Sequence, residues 1–77
     1  MYRHTLTEEQ LALLADALEI VLDHKQLDGE EERAARKLLE RLRRARPNPG
    51  MKYVTFLVAD DGEEEILKNL FQSLWGQ

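Results

Sequence analysis

The chain has 77 residues, 43% of them hydrophobic and 34% charged, with a formal net charge of −4 and no cysteine. That length allows one small domain, residues 1–77, and the absence of cysteine excludes disulfide staples and thiolate metal sites. A chain this short buries roughly 60% of the surface its unfolded form exposes, so its stability must come from efficient packing or from a partner subunit.

The opening "MYRHTLTEEQ" has no apolar run behind its positive charge, and no stretch approaches the roughly 18 apolar residues of a membrane span. A soluble, cytoplasmic protein without a signal peptide is expected. "LTEEQLALLADALEIVLDHK" then predicts a first helix from about residue 8 to 25. Thr7 and Gln10 have the spacing of a capping box, and Leu6 and Leu11 that of a hydrophobic staple. Leu11, Leu14, Ala15, Leu18, Val21 and Leu22 form one apolar stripe at helical spacing, and Leu13, Ala17 and Ile20 form a second on another side. Two stripes imply a helix covered on two sides. A second helix can cover one; the other needs the C-terminal segment or another chain.

"QLDG" is a short connection in which Asp28 can cap the next helix, with Glu30, Glu31 and Glu32 on the positive end of its dipole. This second helix is expected over about 29–45, with Ala35, Leu38, Leu39 and Leu42 facing inward, and "RPNPG" ends it. Two helices joined so tightly should form an antiparallel hairpin.

"MKYVTFLVA" is rich in β-branched and aromatic residues and predicts a strand over about 52–58. Val54, Phe56 and Val58 lie on one face and Tyr53 and Leu57 on the other, so burial on both sides is expected. Its backbone groups need a partner. Either "MYRHTL" pairs with it within the chain, or the same strand of a second copy pairs across a two-fold axis, which would also supply the missing stabilisation. "DDGEEEILKNLFQSLWGQ" predicts a third helix over about 61–75, capped by Asp60 or Asp61, with Ile66, Leu67, Leu70, Phe71 and Leu74 as its apolar stripe. The fold class expected is mainly α with one β segment: a helical hairpin, a strand and a third helix.

Residues 33–46 hold seven of the eleven basic residues and one acid, so they carry +6 while the rest of the chain carries −10. Arg33, Lys37, Arg41 and Arg44 share one side of the second helix, opposite its leucines, and are the candidate phosphate-contacting residues. No stacking aromatic and no Asn or Gln placed to read bases accompanies them. Glu32–Arg36 and Glu40–Arg44 have i,i+4 spacing, which favours a solvated helix face over a nucleic-acid or acidic-protein patch.

The histidines, His4 and His24, have no second histidine or thiolate at ligand spacing, and neither "DHKQLDGEEE" nor "LVADDGEEEILK" fits a calcium loop, so no metal is expected. Gly29, Gly50, Gly62 and Gly76 are dispersed rather than gathered in a phosphate loop, and Ser73 has no base at a recognisable spacing. Neither an enzyme nor a cofactor is expected. The candidate partner-binding residues are Leu13, Ala17 and Ile20 on the first helix, Tyr53 on the strand, and Trp75 on the third helix. Phe56 and Phe71 are assigned to the core.

Over residues 5–45, "TLTEEQLALLADALEIVLDHKQLDGEEERAARKLLERLRRA" resembles the helical-hairpin segments of small accessory proteins from phages and other mobile elements of GC-rich bacteria. The likeness rests on leucine-alanine helices opened by "LTEEQ" and closed by an arginine-rich helix; it implies binding to a host or phage protein. The function expected is a non-enzymatic protein-interaction or regulatory module, acting as a homodimer or as a small subunit bound to a larger protein. The alternative is a nucleic-acid-binding regulator using the arginine-rich helix.

Overall fold

The computed structural model describes residues 1–24 and 27–76. Its elements run β1 (Tyr2–Thr7), α1 (Glu8–His24), α2 (Gly29–Arg44), β2 (Tyr53–Val58) and α3 (Asp61–Trp75), a mainly α fold with a small β component. The expected end of the first helix at Lys25 lies outside the described residues. No helix among the described residues is long and apolar enough to cross a membrane.

The helix starts follow from their caps. The Gln10 N–H donates to Thr7 Oγ1 at 3.1 Å and the Thr7 N–H to Gln10 Oε1 at 2.9 Å, the reciprocal bonds of a capping box. Asp28 accepts from the Glu31 N–H at 2.8 Å, which holds its carboxyl below the ordinary carboxylate value. Of the two acids before α3, Asp60 is the cap, accepting from the Gly62 N–H at 2.8 Å. Between α2 and β2, the Met51 N–H donates to the Asn48 carbonyl at 2.9 Å. Pro49 and Gly50 are the central residues of that turn, and Gly50 has a φ of 85°, the conformation a type II turn requires at its third position.

The strand's partner is the N-terminal arm. β1 and β2 pair antiparallel in the register Tyr2↔Val58, His4↔Phe56, Leu6↔Val54, so the first of the two pairings open from the sequence is the one formed. Alternation puts Tyr2, His4 and Leu6 with Val54, Phe56 and Val58 on the face turned to the helices. The opposite face corrects the expectation of two-sided burial: Tyr53 is 55% exposed and Leu57 37%, because no layer covers the sheet there.

The core lies between the sheet and the three helices. β1 gives Leu6; α1 gives Leu11, Leu14, Ala15 and Leu18; α2 gives Ala35, Leu38 and Leu42; β2 gives Phe56 and Val58; α3 gives Leu67 and Leu70. Only the first stripe of α1 enters this core. Of the second stripe, expected to be covered, Ala17 is half-buried against the core, while Leu13 is 39% and Ile20 60% exposed. One face of α1 satisfies both neighbouring helices, so its far side is left to solvent.

Candidate interaction surface

Of the four side chains expected to contact phosphate, Arg41 and Arg44 are paired within the fold, while among the described residues Arg33 and Lys37 are unpaired. Arg41 lies over the Phe56 ring at 4.9 Å from its centroid, donates to the Leu57 carbonyl, and approaches Glu63 Oε1 at 3.5 Å. It thereby covers part of the open edge of β2. Arg43 reaches across to Glu19 of α1. The two i,i+4 pairs read from spacing both form, Arg36 with Glu32 and Arg44 with Glu40. Arg33 and Lys37 have no ion pair among the described residues, but they line a shallow cavity of about 240 Å³ shared with Glu30 and Asp60, whose carboxylates oppose a phosphate.

A second polar set was hidden from local spacing. Glu63 and Glu64 stand in the first turn of α3, where capping and the helix dipole already account for them. The fold buries both, leaving them 7% and 6% exposed. Glu64 Oε1 lies 2.7 Å from His4 Nε2, a distance at which the ring N–H donates to the carboxylate, and the His4 ring lies 5.6 Å from that of Phe71. Among the described residues Glu63 Oε1 accepts no hydrogen bond, and Arg41 supplies the nearby opposite charge. The partners of these carboxylates are remote in sequence, so only alternation in the N-terminal arm, which turns His4 inward with Leu6, could have signalled one of them.

Tyr2 completes the seam between β1 and α3 by donating to Asp61 Oδ1 at 2.7 Å. That hydrogen bond, and then the Asp61 charge, push the phenol above its ordinary value. A raised folded value means the contribution is fully present below the unfolded value and is lost as pH rises through the folded one. In a Tyr53→Phe background the tyrosinate absorbance of Tyr2 should therefore rise at a higher pH than free tyrosine, and Asp61→Asn should move that midpoint down. An unchanged midpoint in Asp61→Asn would mean the hydrogen bond does not persist in solution.

The candidate partner-binding residues fall in three places. Leu13, Ala17 and Ile20 form a continuous row on the far side of α1, with Ala17 half-buried between its exposed neighbours. Glu9, Asp16 and Asp23 run beside that row, three or four residues from Leu13 or Ile20, and all three are exposed. Tyr53 lies on the open face of the sheet. Trp75 ends α3 and stacks back on Phe71 at 5.6 Å, yet remains 40% exposed; Phe56 is buried and Phe71 packs at the core's margin. Among the described residues no group of three or more His, Cys, Asp or Glu is placed to hold a metal ion. Comparison with protein-family models, with characterised proteins and with solved structures finds no match to this chain.

Proposed function

We propose that the chain is a non-enzymatic protein-interaction module of the cytoplasm, a small subunit or regulator that docks a protein partner on the far side of α1. The observation that carries this reading is the row Leu13, Ala17 and Ile20, in which the isoleucine is 60% exposed although the chain has a buried core of its own. Aliphatic side chains at helical spacing, edged by polar ones, form the surface on which a partner helix packs. Burying an exposed isoleucine and leucine contributes on the order of 1–3 kcal/mol each. The acidic border of Glu9, Asp16 and Asp23 sets orientation and encounter rate. A second copy of the chain is one partner this surface admits; the acids on both sides would then face each other, which favours a different partner with basic flanks.

The test is affinity capture from cells followed by reconstitution with the purified captured protein. Ile20→Asp should abolish binding and leave the helical circular dichroism and melting temperature unchanged, whereas Arg33→Gln with Lys37→Gln should bind as the parent does. Loss of binding in the double glutamine variant, with Ile20→Asp unaffected, would move the working surface to α2.

A further inference from the structure

Between α2 and α3 the helices leave a groove that no sequence pattern announces. Two adjoining cavities, of about 190 and 270 Å³, share Glu31, Ile66 and Asn69 and form one cleft. Its floor is apolar: Val21, Leu27, Ala35, Ile66 and Leu70. Ala35 and Leu70 are core residues, while Val21, Leu27 and Ile66 are only partly buried, so the margin of the core opens to the surface here. Alanines at positions 34 and 35 leave this space unfilled because neither projects a long side chain across it. The rim carries Glu30, Glu31 and Glu65, with no cation lining either cavity among the described residues.

We infer that this groove receives a cationic amphipathic segment of a protein partner, one apolar side chain seated on Ile66 and Leu70 and lysine or arginine on either side of it facing Glu30, Glu31 and Glu65. The inference rests on the reading of the chain as an interaction module, but it assigns a surface separate from the row on α1. Three carboxylates around an apolar floor select for positive charge and against negative, and the net charge of −4 steers the same partner toward the protein. Glu30 and Glu31 also stand in the first turn of α2, where they offset the helix dipole; that accounts neither for Glu65, beyond the first turn of α3, nor for the open apolar floor between the helices. A second copy of this chain is a poor occupant, since the leucines of its own basic helix, Leu38 and Leu42, are buried.

The experiment uses the whole chain and a synthetic peptide with leucines at helical spacing and lysines elsewhere. A peptide of the same composition, scrambled so that the leucines surround the helix, is the control. The amphipathic peptide should bind saturably, more weakly as salt rises, and should shift the backbone amides of Glu31, Ala35, Ile66 and Asn69. Asn69→Arg and Glu65→Lys, both at exposed positions, should each weaken binding by about tenfold with the fold intact by circular dichroism. Ile20→Asp should leave it unchanged, which separates a failure of this groove from a failure of the α1 surface. Equal binding of the scrambled peptide, amide shifts centred on Leu13 and Ile20, or full affinity in Asn69→Arg and Glu65→Lys would overturn the assignment.

Discussion

Leu38→Ala is expected to lower the unfolding free energy by about 2–5 kcal/mol. Leu38 is fully buried on α2, within a core to which α1 brings Leu14 and Leu18 and α3 brings Leu67, each also at 0% exposure. Truncating it removes transfer free energy and leaves a cavity that leucines held on the two other helices can only partly close. Native stabilities are about 5–15 kcal/mol and short chains sit toward the low end, so one such loss consumes a large part of the total. The check is denaturant unfolding followed by circular dichroism. A change well under 1 kcal/mol would mean that α2 does not close over the core as described.

The second large effect concerns Arg41, one of the candidate phosphate contacts. Arg41→Ala is expected to destabilise the fold by about 1–3 kcal/mol, below the roughly 3–5 of a fully buried ion pair because water reaches the arginine. The Arg41 side chain is 42% exposed and that of Glu63 only 9%, so removing the guanidinium strands a buried carboxylate while exposing the Phe56 face and the Leu57 carbonyl. Glu63→Gln should recover part of the loss in the double variant, since a neutral amide costs less to bury alone. Arg41→Lys should recover little, because an ammonium cannot lie flat on Phe56 while reaching the carbonyl and the carboxylate. Strict additivity of the Arg41 and Glu63 substitutions would show that the two groups do not interact.

The sequence expressed this architecture unevenly, for physical reasons. Helix starts were legible because capping is local: Thr7 with Gln10, and Asp28 with Glu31, act within one turn. The span of β2 was legible from its β-branched and aromatic run, but its partner only as one of two candidates, since neither residues 2–7 nor 53–58 alone records which strand it pairs with. Burial of Glu63 and Glu64 was hidden for the opposite reason. Their position at a helix start already had a sufficient local cause, and His4 and Arg41 come from distant elements. The basic helix shows the same limit: spacing announced Glu32–Arg36 and Glu40–Arg44, while the Arg43–Glu19 bridge depends on how α1 and α2 meet. The candidate rows on α1 needed only helical geometry, whereas the α2–α3 groove exists because alanines and Ile66 come to face each other in three dimensions.

On the proposed function, the arginines of α2 serve the fold and the exposed apolar surface serves a partner. The measurement that tests this division most directly is a titration of a fluorescent DNA duplex and a fluorescent single strand with the protein, at low and at physiological salt. No saturable binding is expected at physiological salt, and no difference when Arg33 and Lys37, the cations of α2 without an ion pair among the described residues, are replaced by glutamine. Saturable binding that falls steeply with salt and disappears in the glutamine variant would contradict it and make α2 the working surface.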